Sequence, residues 1–227
     1  MFIVIRRSNL FILAVAVLLS ATVINMTRST RLVPVNAVPV SEKVIVLDAG
    51  HGASDGGAVG ISGTLEKDIN LKITTRLKKL LEKTGATVIV TREDDSPIAE
   101  TKREDMKKRK ALKENSNADI FVSIHMNKFS ESKYSGAQVF YAKDEKSKML
   151  GEDIQSEMKA ILNPENNRVA KQTDGSIYIL KDSTVPSVIV ECGFLSNPQE
   201  ESLLTQSDYQ DKVAWSVYSG ILKYFDR

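Results

Sequence analysis

The sequence predicts a single α/β domain built on a mostly parallel β-sheet. Short apolar runs typical of buried strands alternate with longer segments whose apolar residues recur at helical spacing. The first alternation runs strand, helix, strand, and such a βαβ unit favours parallel pairing with a right-handed crossover. With 227 residues and 42% hydrophobic composition, the chain is long enough to bury one core of ordinary size.

Ahead of the domain, residues 1–26 are predicted to be a secretory signal peptide or a signal anchor. Arg6 and Arg7 precede an uncharged, mainly apolar run at residues 10–26, which is the order of charge and hydrophobicity in an export signal. The run is almost long enough to cross a bilayer core about 30 Å thick. We therefore expect an exported protein that is secreted or membrane-anchored and touches the membrane only through this segment.

A linker is predicted between the N-terminal segment and the domain. Residues 27–41 contain proline and valine without a helical period. Within them, Val35 and Ala37 form a small-residue pair that a signal peptidase could accept, so cleavage and anchoring both remain open. The folded domain is expected to occupy residues 42–227.

Net charge argues against a nucleic-acid partner. The formal charge is +2, but four of the 31 basic residues precede residue 38, where no acidic residue occurs. The remaining chain has 27 basic and 29 acidic residues, a net charge of −2, and so lacks the basic field that nucleic-acid binding requires. Cys192 is the only cysteine, so no intrachain disulfide can form despite the expected export.

The first half of the domain contains the βαβ unit. Residues 44–47 are predicted to form a buried strand, and from Glu66 apolar residues recur at helical spacing until Gly85 provides a stop signal. Residues 86–91 then form the second strand. Between the first strand and the helix, residues 52–63 contain five glycines, which suit either a turn-rich loop or the close approach of a ligand.

A lysine- and glutamate-rich segment at residues 100–115 is predicted to be an amphipathic helix with most of its surface in water. Its apolar contacts are expected at Met106, Ala111 and Leu112. The basic run at residues 107–110 is interpreted as part of the solvated face, and contact with an anionic polymer is the alternative.

The second half continues the alternation of strands and helices. Strands are predicted at residues 119–125, 136–142, 177–180 and 187–191. A helix at residues 145–162 is closed by Asn163 and Pro164, and two helices follow the last strand. The second of these presents four apolar side chains to the core: Val213, Val217, Ile221 and Leu222.

Polar side chains with metal-binding or catalytic chemistry stand at the ends of three predicted strands. They are His51, His125 and Glu191, and the two histidines are the only ones in the chain. Because parallel strands end along one edge of a sheet, we expect these groups to lie within a few ångströms, with Glu66 joining them from the first helix. Two imidazoles, one carboxylate and an open fourth position are typical of a catalytic zinc site.

We therefore predict one zinc ion per chain, bound by His51, Glu66 and His125. Zinc lowers the pKa of bound water to about 7 and polarises a carbonyl group. Glu191 is then free to act as the general base, and burying it at the end of an apolar strand without a partner would be costly. The alternatives are packed strand-end histidines and, for Glu66, a charge favoured by the helix dipole.

Three further residues have two interpretations each. Asn127, two residues after His125, is a candidate to support the metal site or to bind substrate. Arg92 closes the second strand and could bind a substrate carboxylate or form a structural ion pair. Cys192 beside Glu191 could be a nucleophile, but strand alternation points it to the opposite face, which favours core packing.

Four motifs in this chain resemble those of the zinc-dependent N-acetylmuramoyl-L-alanine amidases of the type 3 family. They are D-A-G-H-G at residues 48–52, E-K-D-I-N at 66–70, S-I-H-M-N at 123–127 and V-E-C-G-F-L-S-N at 190–197. The resemblance implies a twisted six-stranded sheet flanked by helices, with zinc ligands at His51, Glu66 and His125 and the catalytic glutamate at Glu191. Asn70, which ends the second motif, joins the candidate substrate-binding residues.

The resemblance also implies a substrate and a cellular role. The family hydrolyses the amide that joins the lactyl group of muramic acid to L-alanine in peptidoglycan. In size and organisation the chain is most similar to the germination-specific members of spore-forming bacteria, which prepare cortex muramic acid for conversion to muramic-δ-lactam. Such a protein would act between the forespore membranes. Met126, larger than the residue at this position in many relatives, is expected to narrow the substrate pocket.

Other readings of the same residues remain open. Without wall-binding repeats, localisation is expected to come from the N-terminal segment or from a partner protein, and an accessory protein for localisation or activation is one possibility. A non-catalytic peptidoglycan-binding or adaptor protein that keeps the fold is the alternative function. A thiol hydrolase that uses Cys192 with His125 is the third.

Overall fold

A six-stranded sheet lies at the centre of the computed structural model, which describes residues 38–227. The strands are β1 (Val44–Ala49), β2 (Thr87–Val90), β3 (Ile120–Asn127), β4 (Gln138–Tyr141), β5 (Lys171–Gln172) and β6 (Ser187–Phe194). The helices are α1 (Glu66–Lys83), α2 (Lys102–Asn115), α3 (Glu145–Leu162), α4 (Pro198–Leu204) and α5 (Ser207–Phe225). The spatial order of the strands is β2-β1-β3-β6-β4-β5.

Most neighbouring strands run parallel. β1 pairs in parallel with β2 and β3, and β3 pairs in parallel with β6. The strand β4 is antiparallel to β6 and parallel to β5. The predicted fold class, a mostly parallel six-stranded sheet flanked by helices, is confirmed, and β1, β3 and β6 end side by side at one edge.

Alternating side chains give the sheet two different faces. One face packs against α1, α3 and α5 in a large apolar core that includes Leu47, Leu77 and Val217. The opposite face carries a smaller apolar cluster that includes Val46 and Phe121 and is covered by α2 and the chain after β5. Because period-two alternation assigns each strand residue to a face, Asp48, Ser123, His125 and Glu191 belong to the face covered by α2.

Helix boundaries follow local capping signals. The helix α3 has the predicted bounds because the side chain of Asp144 accepts a hydrogen bond from Ser147 N, at 2.8 Å. The helix α2 begins at Lys102 because Thr101 caps it, accepting from Glu104 N at 3.3 Å.

The strand predicted at residues 177–180 is wrong. Residues 178–180 form a turn, in which Leu180 N donates to Ile177 O at 3.1 Å. Ile179 and Leu180 are nevertheless buried in the smaller apolar cluster. The apolar pattern of this segment therefore reflects burial against the sheet and not strand pairing, whereas β5 is a short exposed pair of polar residues at Lys171–Gln172.

The buried face of α2 also differs from the prediction. Met106 packs against the smaller cluster as expected, but Ala111 is exposed. Arg109 and Lys113 are buried instead, with 3% and 0% of their surface exposed. The Lys113 ammonium donates to Ile179 O at 2.6 Å, which attaches α2 to the turn after β5. The basic run is therefore only partly a solvated face.

The described part of the chain begins inside the predicted linker. Val40 is fully buried, and Val38 packs against the large core. These residues therefore belong to the folded unit, whereas the predicted signal or anchor at residues 1–26 lies outside the described residues. Within the described part of the chain, no helix has the length and apolar character needed to cross a membrane.

Candidate metal centre and active site

The ends of β1, β3 and β6 bring the predicted site residues to one edge of the sheet. Ala49 at the end of β1 is in register with Ile124 of β3, and His51 follows two residues later. In the neighbouring pair, His125 is in register with Glu191. Glu66 reaches the same place as the first residue of α1. The convergence expected from the sequence is therefore present.

His51, Glu66 and His125 form a compact donor cluster. Glu66 Oε1 lies 3.2 Å from His51 Nε2 and 2.9 Å from His125 Nδ1. One donor atom from each residue lies within 4.8 Å of the others. Glu66 is buried, and both histidines are partly exposed. Two imidazole nitrogens and a carboxylate oxygen, open to solvent on one side, fit the donor set of a catalytic zinc ion.

Two glycines allow the three side chains to approach so closely. A Cβ at Gly50 would overlap the imidazole ring of His125. A Cβ at Gly57, where φ is +69°, would lie 2.6 Å from Glu66 Oε2 and 2.7 Å from a ring carbon of His51. His51 itself has a positive φ of 61°. These glycines are required by the site, and the loop holds its histidine in a backbone conformation that L residues rarely adopt.

The Glu66 carboxylate is fixed by the backbone around it. Its Oε2 accepts a hydrogen bond from Ala58 N at 2.7 Å, and its Oε1 accepts one from Met126 N at 3.0 Å. Burial raises the pKa of Glu66, but hydrogen bonds and charges from His125 and His51 outweigh it and hold the pKa well below its ordinary value. Glu66 is therefore ionised, as a metal ligand must be.

Glu191 stands beside the cluster with a free oxygen. No group of the described residues makes a hydrogen bond with its buried Oε2 atom. Burial, reinforced by the charge of Glu66 and opposed by both histidines, raises the pKa of Glu191 to about 7. A carboxyl group with a pKa near neutrality can accept and release a proton at neutral pH, as a general base must.

A buried ion pair that was not predicted from the sequence supports the end of β1. Asp48 Oδ1 is 2.6 Å from Arg109 Nη1, and Asp48 also accepts hydrogen bonds from Ser123 at 2.5 Å and Thr91 at 2.7 Å. Burial opposes ionisation of Asp48, yet Arg109 and the hydroxyl of Ser123 keep its pKa below the ordinary value. Arg109 further donates to His51 O at 2.7 Å. Arg109 and Lys113 lie three and seven residues after the predicted contact Met106, on the same face of the helix, but their charges gave no indication of burial.

Arg92 and Asn70, predicted to bind substrate, act on the backbone of the site. The buried guanidinium of Arg92 donates to Ala49 O at 2.9 Å, Gly50 O at 3.1 Å and Lys67 O at 2.8 Å. Asn70 is fully buried, and its amide donates to Gly50 O at 3.1 Å and to Glu66 Oε1 at 3.3 Å. Both side chains therefore hold the backbone around the site, and Asn70 also contacts Glu66, while their roles in substrate binding stay predictions.

Asn127 and Cys192 have different positions relative to the site. Asn127 is half-buried at the end of β3, where its carbonyl accepts from Leu195 N at 2.9 Å, and its substrate role stays a prediction. Cys192 is 1% exposed and packs in the large core, on the other face of β6 from Glu191. Burial raises the pKa of its thiol well above the ordinary value, which disfavours the reactive thiolate.

A cavity of about 230 Å³ opens beside the cluster on the face covered by α2. His51 and His125 line one side, and Met106, Ile177 and Ile179 supply apolar surface on the other. Met126, which was expected to narrow a substrate pocket, is buried in the large core and does not line this cavity. The expectation about Met126 is therefore wrong, because alternation along β3 points its side chain away from the site.

Comparison with known proteins places the same region of the chain in one family. A family model described as N-acetylmuramoyl-L-alanine amidase matches residues 45–223. The germination-specific N-acetylmuramoyl-L-alanine amidase of Bacillus subtilis is 44% identical over 199 residues, which cover 83% of this chain and 82% of the relative.

Two solved structures are similar in both sequence and fold. The CwlD amidase from Clostridioides difficile, in complex with the GerS lipoprotein, is 50% identical with a TM-score of 0.79, covering 82% of this chain and 99% of its own. The catalytic domain of CwlV, an amidase from Bacillus (Paenibacillus) polymyxa var. colistinus, is 34% identical with a TM-score of 0.70, covering 81% and 98% respectively. On the matched family model and these relatives, the chain belongs to the N-acetylmuramoyl-L-alanine amidase family.

Proposed function

We propose that this protein is a zinc-dependent amidase that hydrolyses the amide between N-acetylmuramic acid and L-alanine in peptidoglycan. The observation that carries the proposal is the donor cluster of His51, Glu66 and His125, whose donor atoms lie within 4.8 Å of one another. The carboxylate of Glu191, with one unpartnered buried oxygen among the described residues, stands beside it. Membership of the amidase family supplies the substrate class.

The proposed roles follow from the chemistry of each side chain. His51, through Nε2, His125, through Nδ1, and Glu66, through Oε1, would hold one zinc ion. When bound, zinc lowers the pKa of a bound water to about 7 and polarises a carbonyl group. Glu191 accepts a proton as water attacks the lactyl carbonyl carbon, and it returns that proton to the amine of L-alanine as the C–N bond breaks. The products are a lactyl carboxylate and a stem peptide with a free amino terminus.

The cavity next to the histidines is the proposed place for the start of the stem peptide. Its apolar wall of Met106, Ile177 and Ile179 suits a small side chain such as that of L-alanine. Asn127, at the end of β3, remains a candidate donor to the substrate.

The similarity to germination-specific relatives supports a role in the spore. We infer that the protein acts on cortex peptidoglycan and prepares muramic acid for muramic-δ-lactam formation. Export through the N-terminal signal or anchor, to the space between the forespore membranes, is part of this proposal. The GerS lipoprotein in the C. difficile CwlD structure supports the further proposal that an accessory protein localises or activates this chain.

Mass spectrometry of muropeptides treated with protein of measured zinc content tests the proposed activity. We expect intact stem peptides that begin with a free L-alanine amine, loss of their release on chelation and recovery on adding zinc. Binding of muropeptides without cleavage, by protein that carries one zinc per chain, would favour the non-catalytic adaptor instead.

A further inference from the structure

The glycine-rich loop after β1 places a carboxylate on the outer side of His51. Asp55 Oδ2 lies 3.0 Å from His51 Nδ1, while the opposite ring nitrogen, Nε2, lies 3.2 Å from Glu66 Oε1. The imidazole therefore stands between two carboxylates, one in the donor cluster and one outside it. Asp55 is not one of the site residues predicted from the sequence.

Asp55 is held in this position from several directions. Its backbone forms two hydrogen bonds with Gly52, at 2.9 and 3.0 Å, which close the loop around His51. Its Oδ1 accepts from Gly57 N at 3.3 Å, and its Oδ2 is 2.9 Å from Lys102 Nζ at the start of α2. The carboxylate is thus held by contacts outside the donor cluster.

The position of Asp55 favours the tautomer of His51 that carries its proton on Nδ1. Among the described residues Nδ1 of His51 makes no hydrogen bond, and the carboxylate oxygen of Asp55, 3.0 Å away, is within reach of a proton on Nδ1. When Nε2 binds zinc, the proton of the neutral imidazole is on Nδ1, where the ionised carboxylate of Asp55 can accept it. A carboxylate on the outer nitrogen of a metal-binding histidine orients the ring and raises its basicity.

We propose that Asp55 is a positioning residue that fixes the tautomer and ring orientation of His51 for zinc binding. The inference rests on the proposed zinc site, but not on the reaction performed there. Removing the carboxylate should lower zinc affinity about 10- to 100-fold, the range typical of such outer partners.

A second carboxylate, in the segment that follows β2, contacts the same loop and provides a matched control. Asp95 Oδ1 accepts from Ala53 N at 2.8 Å, and Asp95 Oδ2 pairs with Lys67 Nζ at 2.6 Å. Asp95 therefore anchors the loop as Asp55 does, but it contacts neither histidine ring. A general loosening of the loop would affect Asp55→Asn and Asp95→Asn alike.

The test measures zinc affinity and the Nδ1–H hydrogen bond of His51 in the full-length protein. Zinc affinity is obtained by competition with a chromophoric chelator, and the hydrogen bond by ¹⁵N NMR of the imidazole in the zinc-bound protein. We expect Asp55→Asn to weaken zinc binding about 10- to 100-fold and to shift the Nδ1–H signal of His51 in the direction of a weaker hydrogen bond. Asp95→Asn should stay within about threefold of wild type, and thermal unfolding in chelator checks that both variants fold.

Three results would overturn the inference. They are zinc affinity of Asp55→Asn within about threefold of wild type, an unchanged Nδ1–H signal of His51 in that variant, and an equal loss of affinity in Asp95→Asn. If Asp55→Asn does not fold, Asp55→Ser, which also lacks the carboxylate, should weaken zinc binding to a similar extent; no change would count against the inference. Wild-type protein that binds zinc without cleaving muropeptides would refute the proposed function and leave the role of Asp55 standing.

Discussion

Replacing Arg109 by methionine should destabilise the domain strongly, although Arg109 lies in a lysine-rich helix that the sequence places in water. The substitution keeps the length and apolar part of the side chain but removes the cation 2.6 Å from Asp48. It also removes the hydrogen bonds to Ala49 O at 2.8 Å and His51 O at 2.7 Å. Asp48, 2% exposed, would be left as a buried charge without a cationic partner.

The expected loss follows from the cost of leaving a buried charge unpaired. Removing one partner of a buried ion pair typically costs about 3 to 5 kcal/mol of unfolding free energy. With a urea slope of roughly 2 kcal/mol per M, the unfolding midpoint should fall by roughly 1.5 to 2.5 M. Because zinc binding would add stability of its own, urea denaturation should be followed in the presence of a chelator.

Two variants make the result interpretable. Lys107→Met changes an exposed member of the same basic run and should alter stability by less than about 0.5 kcal/mol. Asp48→Asn combined with Arg109→Met removes both charges and should recover much of the loss, because no uncompensated charge remains buried. If Arg109→Met costs less than about 1 kcal/mol, or no more than Lys107→Met, the assigned role of this ion pair is wrong.

Three further predictions concern the loop, the cysteine and pH. Gly57→Ala should cost about 1 to 3 kcal/mol and weaken zinc binding, because a Cβ there lies 2.6 Å from the carboxylate proposed to bind zinc. Calorimetry should show that Gly63→Ala, with a similar φ of +83° but no atom within 4 Å, leaves zinc affinity unchanged. Cys192→Ala should keep the wild-type turnover per bound zinc and lose about 1 kcal/mol of stability, and loss of activity would revive the thiol hydrolase. In the folded state the pKa of Asp48 is below its ordinary value of 3.8. The stability that its ionised carboxylate contributes is therefore fully present at pH values above 3.8 and is lost as pH falls through the folded-state pKa. The stability advantage of wild type over Asp48→Asn/Arg109→Met should therefore shrink only below about pH 4, and shrinkage nearer neutrality would contradict the assignment.

The convergence of the site could be predicted from the sequence because strand ends in a parallel sheet share an edge. His51 and His125 follow or end apolar strands, and Glu191 ends the hydrophobic run of β6. Register then brings His125 beside Glu191 without any information beyond strand order. Period-two alternation was also enough to place Cys192 on the opposite face, in the core.

Other features depend on contacts that sequence periodicity does not encode. Arg109 pairs with Asp48, which lies 61 residues earlier in the chain. Because Arg109 belongs to a basic run, its orientation towards the sheet was not predicted. The segment at residues 177–180 buries apolar side chains as a strand would, but a turn achieves the same burial without ladder hydrogen bonds. Arg92 follows a strand, where an arginine can bind a carboxylate, yet it donates to backbone carbonyls at the end of β1 and at the start of α1.

Zinc content and turnover of Glu191→Gln, measured on the same preparation, test the central claim most directly. The substitution preserves the shape of the side chain but removes the carboxylate that is proposed to accept the proton of water. We expect about one zinc per chain, as in wild type, and release of stem peptides from muropeptides about 10²- to 10⁴-fold slower. Full activity with zinc retained would contradict the proposed base, and loss of zinc would show that Glu191 is a ligand instead.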